Sequence, residues 1–324
     1  MKDLYVDYEG FIKEWHSQKG HICCHTSGST GTPKEILLPK RQMEESARRT
    51  ITFFGLDSRS HLHSLISPEF IGGKMMAVRS EILNCRFTYE TPSNRPVFPS
   101  GENVIDLIAA VPSQLPHIIS RPELKGRVGS IIIGGSPIPQ ALAKQIVRSG
   151  INAWETYGMT ETASHIAIRK VSDENTFFHP LPGINIELNS RGCLVIDISG
   201  WTRFETNDIA QISDCGDFRI LGRQDNMIIS GGRKIHPEQL ERIAEELLGR
   251  EILVSGKPDD KWGEIAVMTI SDFSKNEARD LQSEHISHEA IKEMLGKRLP
   301  SWSIPKIIRY GEIPHTPGGK KKRC

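Results

Sequence analysis

A run of hydroxyl residues, glycines and one lysine near the start of the chain has the composition of a phosphate-binding loop. The run is Thr26-Ser27-Gly28-Ser29-Thr30-Gly31-Thr32-Pro33-Lys34. Backbone N–H groups in such a turn can point inward together, and the hydroxyls and the ammonium add the donors and the positive charge that a polyphosphate requires. It is not a Walker A loop, because Gly28 and Gly31 are three residues apart and Lys34 follows Pro33. The alternative, a flexible Ser/Gly linker, does not account for the lysine and proline at the end of the run.

Composition excludes several classes of function. The 324 residues include 41 Lys and Arg against 40 Asp and Glu, so the formal net charge is +1 and a polyanion such as nucleic acid is not expected as a partner. No apolar run approaches the roughly 18 residues of a membrane span, and acidic residues near the start oppose a secretory signal. The six cysteines form no C-x-x-C pair, so we expect reduced thiols without a structural zinc. We therefore expect a cytoplasmic protein whose partners are small molecules.

The pattern of apolar residues predicts an α/β fold with a second, smaller domain. Strand-like runs such as His21–His25 and Ile131–Ile133 alternate with amphipathic helices over the first two-thirds of the chain. From Gly183 to Leu221, short alternating runs predict a small antiparallel sheet that ends the large domain. The sequence thus divides into a large α/β domain of residues 1–224 and a small α+β domain of residues 225–324.

Four later segments, together with the loop, carry a family resemblance. They are Tyr157-Gly158-Met159-Thr160-Glu161, Thr206-Asn207-Asp208, Gly222 to Ile228 with Gly231-Gly232, and Pro314 to Lys320. They resemble, in order, the Y-G-x-T-E, T-G-D, hinge and P-x-T-P-x-G-K segments of the adenylate-forming superfamily of acyl- and aryl-CoA synthetases, adenylation domains and luciferases. Asn207 replaces the usual glycine. Because the segments occur in the family's order across nearly the whole chain, chance is not a serious explanation.

The resemblance implies a two-step ligase that uses ATP, Mg²⁺ and CoA. Its ATP-binding residues would be the loop from Thr26 to Gly31 with Lys34 and, downstream, Gly135, Ser136, Tyr157, Gly158, Asp208 and Arg223. Among these, Gly135 and Ser136 would line the base pocket, Tyr157 would pack on adenine, and Asp208 and Arg223 would contact the ribose. Thr160 would contact the α-phosphate and Glu161 would hold the metal.

Residues of the small domain are implied in both steps. Lys320 would stabilise charge during adenylation and then leave as the domain rotates about Asp225. Gly231 and Gly232 would line the pantetheine tunnel in the thioester-forming state. We interpret the neighbouring Lys321 and Lys322 as a solvated basic tail.

Substrate choice depends on an arginine in an apolar segment. If residues 73–83 are helical, Arg79 shares a face with Met75, Met76, Ile82 and Leu83. A buried arginine requires an anionic partner, which Glu69 or Glu81 could supply, or else a second carboxylate of the substrate. The spacing from Gly72-Gly73 to Arg79 resembles the o-succinylbenzoate–CoA ligases of menaquinone biosynthesis, whose substrate is an aromatic dicarboxylate. Ser164 and His165 are candidates to line the same acyl pocket.

Other interpretations stay open at this point. A stand-alone adenylation enzyme that loads a carrier protein would show the same motifs, as would another acyl-CoA synthetase or a nucleotide-binding protein that has lost catalysis. Family members usually carry a further subdomain before the phosphate loop, whereas here the loop begins at residue 26. The initiator Met1 and a predicted helix over Tyr8–Trp15 favour a naturally short form. The quaternary state, with a homodimer as one option, is left undecided.

Overall fold

The computed structural model describes residues 7–25, 34–101, 104–172, 177–272, 286–315 and 321–323. The helices are α1 (Tyr8–Trp15), α2 (Lys40–Phe54), α3 (Ile71–Leu83), α4 (Leu115–Ile119), α5 (Gln140–Ser149), α6 (Pro237–Leu248) and α7 (His288–Gly296). The first strands are β1 (His21–His25), β2 (Glu35–Pro39), β3 (His61–Ser64), β4 (Arg86–Tyr89), β5 (Ile105–Ala110), β6 (Val128–Ile133), β7 (Ala153–Met159), β8 (Ser164–Lys170) and β9 (His179–Pro180). The later strands are β10 (Ile184–Leu188), β11 (Cys193–Ile198), β12 (Phe204–Ile212), β13 (Phe218–Arg223), β14 (Ile228–Ser230), β15 (Arg233–Ile235), β16 (Ile252–Asp259), β17 (Gly263–Ser271) and β18 (Ile307–Gly311).

A seven-stranded sheet organises the large domain. Its order is β4-β3-β5-β6-β7-β8-β9, and the strands from β4 to β7 run parallel while β8 and β9 are antiparallel. Ile131 and Ile133 pack with residues of α4 and α5, whereas Ile132 packs on the other side with Met76 of α3, so both faces are covered. This confirms the predicted α/β class, and it places the carboxyl ends of the parallel strands at one edge, where such sheets bind ligands.

The remaining sheets also follow the sequence pattern. Strand β1 has the predicted bounds and pairs with β2 across the predicted phosphate loop, whose residues 26–33 lie outside the described residues. Helix α1 also has its predicted bounds. Strands β10 to β13 form the expected antiparallel sheet, and β14 to β18 form a further sheet packed with α6 and α7. The predicted mixed architecture is confirmed, while the boundary at residues 224 and 225 stays a prediction.

The last strand begins three residues later than its pattern suggested. Apolar residues predict a strand near Ile304 to Tyr310, and the observed parallel pairing with β17 runs from Ile307 to Gly311. Pro305 cannot donate to a sheet ladder, and the preceding Ser301–Ser303 form one turn of 3-10 helix. No helix in the described part of the chain is long and apolar enough to cross a membrane.

The C-terminal residues 321–323 are bound to α6, so the interpretation of Lys321 as part of a solvated tail is wrong. The Lys321 Nζ atom donates to Glu245 Oε1 at 2.5 Å and to the Ile252 carbonyl at 2.6 Å. Arg323 donates from Nη2 to both carboxylate oxygens of Glu241, at 2.6 and 2.7 Å. Lys322 is exposed, as expected. The sequence interpretation missed that α6 presents the buried Glu241 and the half-buried Glu245 to these cations.

Gly73 provides the first test of the packing, because α3 approaches the preceding loop there without room for a side chain. A Cβ at residue 73 would lie 2.2 Å from the Ser67 carbonyl oxygen, which is backbone and cannot move aside. We expect Gly73→Ala to lower the free energy of unfolding by about 1–3 kcal/mol or more, as overpacking does.

Urea unfolding of the two single variants Gly73→Ala and Gly72→Ala measures this effect. Gly72 is the matched control, because a Cβ there meets only the flexible side chain of Ile66, whose Cδ1 atom lies 3.3 Å away. Equal stability of the two variants would contradict the close approach.

Glu241 provides a pH test of the C-terminal contact. Its side chain is buried, and burial raises its pKa to about 7 even though Arg323 and Lys321 act in the opposite direction. A carboxyl whose pKa is raised by folding stabilises the folded state fully at pH values below 4.5, its pKa in the unfolded chain. This stabilisation is lost as the pH rises through about 7, its pKa in the folded protein. The Glu241→Gln variant is the reference, because its amide oxygen can still accept from the Val254 N–H. Relative to this variant, the free energy of unfolding of the wild type should fall by on the order of 1–3 kcal/mol as the pH rises from 4.5 to about 7.

The measurement is urea unfolding at pH 5, 6, 7 and 8 for wild type, Glu241→Gln and Glu246→Gln. Glu246 lies on the same helix but pairs with Arg298 at the surface, so its variant controls for a general loss of charge. A stability difference between wild type and Glu241→Gln that does not vary with pH would refute the assignment.

Candidate active site

Predicted nucleotide-binding residues follow two neighbouring strands of the large sheet. Gly135 and Ser136 lie in the loop that follows β6, and Tyr157 to Glu161 occupy the end of β7 and the turn beyond it. Because β6 and β7 are parallel, these segments meet at the same carboxyl edge. Gly135 has a φ of +92°, which a residue with a side chain rarely adopts.

The turn between β7 and β8 is tight and strained. A Cβ at Gly158 would lie 2.2 Å from the Ser164 carbonyl oxygen, so only glycine fits there. Ala163 and Ser164 have φ values of +50° and +91°, a left-handed conformation that costs on the order of 1–2 kcal/mol for each residue. The buried Thr162 hydroxyl accepts from the Met159 N–H at 3.0 Å and holds the turn closed. Such strain is typical of functional turns.

Thr160 and Glu161 are half-buried in this turn. Mg²⁺ is usually bound through one or two carboxylates together with substrate phosphates, so a single glutamate at this edge fits the metal of an ATP complex. Among the described residues, the group of three close potential metal ligands lies elsewhere, at Cys23, His25 and Glu35 of the β1–β2 hairpin. The assignment of the metal to Glu161 remains a prediction.

Tyr157, Asp208 and Arg223 are brought together, as the sequence suggested for a nucleotide site. The Tyr157 hydroxyl donates to Asp208 Oδ2 at 2.6 Å, and Arg223 Nη1 donates to Asp208 Oδ1 at 3.0 Å. Burial, with the nearby Asp208 charge, raises the pKa of Tyr157, so its hydroxyl stays protonated. The tyrosine ring packs against Phe178 and Phe218. The carboxylate is therefore held in a fixed orientation with acceptor capacity left for further donors.

The predicted hinge residue Asp225 is held by two neighbours. It lies in one turn of 3-10 helix, Gln224–Asn226, between β13 and β14. Asp225 accepts from Arg223 Nη2 at 3.0 Å and from Asn207 Nδ2 at 3.1 Å. Asn207 is the residue that departs from the family's T-G-D pattern, and its amide is what makes this second contact possible. The sequence interpretation missed the contact, although the replacement of glycine by asparagine was its signal.

Gly231 and Gly232 form the turn of the β14–β15 hairpin. Their φ values of +56° and +74° are those of a two-residue hairpin turn that requires positive φ at both positions. A Cβ at Gly231 would lie 2.7 Å from Trp262 Cε3. The turn is exposed, so its backbone is accessible to a ligand.

Some predicted residues are not placed. Thr26, Ser27, Gly28, Ser29, Thr30, Gly31 and Lys320 lie outside the described residues. Lys34 is described and lies directly before β2 at the end of the loop segment.

Arg79 is buried in α3, and no described carboxylate pairs with it. Its side chain is 1% exposed, Nη2 donates to Thr50 Oγ1 at 3.1 Å, and the buried Nε atom has no hydrogen-bond partner. Glu81 instead contacts His16 at 2.6 Å, and Glu69 is exposed. The alternative that one of these glutamates neutralises Arg79 is therefore wrong. Burial lowers the pKa of Arg79 to about 9, which reflects the cost of an unneutralised buried charge.

His165 and Ser164 lie beside this arginine. Thr50 Oγ1 is 3.0 Å from His165 Nε2, and His165 is 6% exposed. Burial and the nearby Arg79 charge lower the pKa of His165 well below its usual value, so the ring is neutral. Ser164 Oγ lies 3.5 Å from His165 Nδ1, a weak contact. The sequence interpretation missed Thr50, because a single threonine in a helix gives no functional signal.

Comparison with known proteins agrees with this geometry. Residues 13–194 match the model of the AMP-binding enzyme family. A 2-succinylbenzoate–CoA ligase of Listeria monocytogenes is 27% identical over 351 aligned residues, covering 98% of this chain and 72% of that protein. The structure of an acyl-CoA synthetase (AMP-forming)/AMP-acid ligase II-like protein from Dyadobacter fermentans has 30% identity and a TM-score of 0.62, covering 96% of this chain and 90% of that one.

A further structure supports the fold. The o-succinylbenzoate CoA synthetase of Bacillus subtilis, solved with an acyl-adenylate intermediate, has a TM-score of 0.78 at 20% identity and covers 93% of this chain and 67% of its own. The chain belongs to the AMP-binding enzyme family, and we conclude that it is an ATP-dependent, AMP-forming acid–CoA ligase.

Proposed function

We propose that the acid is 2-succinylbenzoate or a closely related aromatic dicarboxylate. The observation that carries this proposal is Arg79, a buried cation for which the described residues supply no carboxylate. A substrate with two carboxylates would present one to ATP and the other to Arg79. The Listeria and Bacillus relatives, named for this acid, support the same choice.

The first step forms the acyl-adenylate. An oxygen of the aliphatic carboxylate attacks the α-phosphorus of ATP, a new P–O bond forms, and the bond to pyrophosphate breaks. The Thr26 to Gly31 loop with Lys34 would hold the leaving phosphates through N–H, hydroxyl and ammonium donors, and Thr160 would contact the α-phosphate. Bound Mg²⁺, held by Glu161, would neutralise phosphate charge. Lys320 would stabilise the charge that develops between the acid and the α-phosphate.

Nucleotide binding would use the group at the sheet edge. Gly135 and Ser136 would face the base and Tyr157 would pack on it, while Gly158 allows the tight turn that presents the phosphate contacts. Asp208, oriented by Tyr157 and Arg223, would accept hydrogen bonds from the ribose hydroxyls.

The second step forms the thioester. The CoA thiol loses its proton, its sulfur attacks the acyl carbon, and the C–O bond to AMP breaks. Rotation about Asp225 would remove Lys320 and bring Gly231 and Gly232 to the pantetheine arm. No enzyme-bound acyl group is required, because AMP carries the intermediate. We further propose a cytoplasmic location, no nucleic-acid partner, and the division of the chain into domains of residues 1–224 and 225–324, with a homodimer as one option for the quaternary state.

The direct test is mass spectrometry of reactions containing Mg-ATP, CoA and an acid. The panel compares 2-succinylbenzoate with 4-oxo-4-phenylbutanoate, which lacks only the ring carboxylate, and with fatty acids and benzoates. We expect the thioester with 2-succinylbenzoate and a much higher KM for the analogue. Arg79→Ala should raise the KM for the dicarboxylate roughly 10- to 150-fold, which corresponds to a loss of about 1.5–3 kcal/mol of binding free energy. The variant should also lose the preference between the two acids.

Three outcomes would change the proposal. A preference for the analogue would exclude a dicarboxylate substrate. Transfer of the acyl group to a carrier-protein thiol but not to CoA would identify a carrier-loading enzyme instead of a CoA ligase. ATP binding without adenylate from any acid would indicate a catalytically silent nucleotide-binding protein.

Lys320 provides a separate test of the two-step model. Lys320→Ala should slow adenylate formation by about 10²–10³-fold while the variant still converts supplied acyl-adenylate to thioester, because the lysine is needed in only one step. Rapid-quench assays of each half-reaction measure this difference. Lys322→Ala is the control, since its side chain is exposed. Equal loss of both half-reactions would argue against domain rotation.

A further inference from the structure

One buried hydroxyl joins the two candidate acid-binding side chains. Thr50, on α2, is 0% exposed, and its Oγ1 atom lies 3.1 Å from Arg79 Nη2 and 3.0 Å from His165 Nε2. Arg79 comes from α3 and His165 from β8, so three separate elements meet at this oxygen. Arg79 Nη1 otherwise contacts only the Met76 sulfur, at 3.6 Å, among the described residues.

The direction of each hydrogen bond follows from the groups involved. A guanidinium can only donate, so the Thr50 oxygen accepts from Arg79. The single Thr50 proton then has two acceptors to choose from, His165 Nε2 at 3.0 Å and the Ser46 carbonyl at 3.4 Å. The nitrogen is closer, and its lone pair would face the positive charge of Arg79, whereas an Nε2–H group would point its positive end toward that charge. The ring proton therefore belongs on Nδ1, toward Ser164 Oγ.

We propose that Thr50 is the positioning residue of the acid site: its hydroxyl accepts from Arg79 and donates to His165 Nε2, fixing the Nδ1–H tautomer of His165. The consequence for the substrate rests on the dicarboxylate proposal. With Nη2 fixed by Thr50, the unpartnered Nε atom of Arg79 is held in place for the second carboxylate. The neutral ring adds no competing charge beside it.

A second hydroxyl, one turn earlier on the same helix, links this site to the nucleotide turn. Ser46 Oγ donates to the Ala163 carbonyl at 2.7 Å, within the strained turn that carries Thr160 and Glu161. Residues four apart lie on one helix face, so Ser46 and Thr50 fix the two ends of the same short segment, Ala163 to His165. Helix α2 thus sets the position of the acid-binding group relative to the residues proposed for ATP.

The decisive measurement is the tautomer of His165 by long-range ¹H–¹⁵N NMR of the wild-type enzyme. The His165→Asn variant identifies the signal among the 12 histidines. We expect protonated Nδ1 and unprotonated Nε2. An Nε2–H tautomer in the wild type would overturn the proposal without any variant of Thr50. Because this measurement needs neither acid nor ATP, it remains valid if the dicarboxylate proposal fails.

Variants of Thr50 then test its effect on the acid. Thr50→Val has nearly the same shape but no hydroxyl, so the fixed tautomer should be lost and the KM for 2-succinylbenzoate should rise roughly tenfold more than the KM for 4-oxo-4-phenylbutanoate. Thr50→Ser should restore both properties. Thr52→Val, at an exposed position two residues along the same helix, is the matched control and should behave as wild type.

Each outcome decides the assignment. A Val variant that keeps the Nδ1–H tautomer, or one whose KM rises equally for both acids, would overturn the positioning role. If the Val variant fails to fold by circular dichroism, Thr50→Ala replaces it in the same comparison. If the wild type shows the expected tautomer but forms no thioester with either acid, the hydrogen-bond assignment stands and only the substrate proposal fails.

Discussion

The buried charge of Arg79 is the constraint on which the arrangement of the large domain depends. A guanidinium in an apolar helix face is costly unless it is neutralised or hydrogen-bonded, and here a single threonine hydroxyl provides the main polar contact. Helix α2 must therefore lie against α3 at this depth, and β8 must bring a neutral histidine to the same oxygen. This packing supports the proposal that Arg79 binds an anion from outside the chain.

The free-energy cost of burying Arg79 is offset by the well-packed core around it. Helices cover both faces of the parallel sheet. The strained segment of Ala163 and Ser164 persists because Thr162 and Ser46 fix it from two directions. Strain of this kind survives only when the surrounding structure determines the conformation, so the turn is rigid before any substrate arrives.

Sequence patterns predicted the elements well and the contacts poorly. Apolar periodicity gave α1 and β1 with their observed bounds, because burial on one face is a local property of the chain. Burial of Arg79 was predicted for the same reason. The partners of Arg79 were not predicted, because the choice between Glu69, Glu81 and an external anion depends on which helices and strands meet in space. The binding of Lys321 by α6 was missed on the same grounds, because the two segments are 76 residues apart.

Charged and polar contacts link the proposed nucleotide site to the proposed hinge. Arg223 contacts Asp208 of the nucleotide site and Asp225 of the hinge at once, with Asn207 supporting the second contact. Rotation about Asp225 would have to break its exposed hydrogen bonds with Arg223 and Asn207, and such surface contacts cost little free energy to exchange. The partly buried pairs of Arg323 with Glu241 and Lys321 with Glu245 lie within the small domain and need not break. The chain adjoining Lys320 would therefore move with that domain as one body.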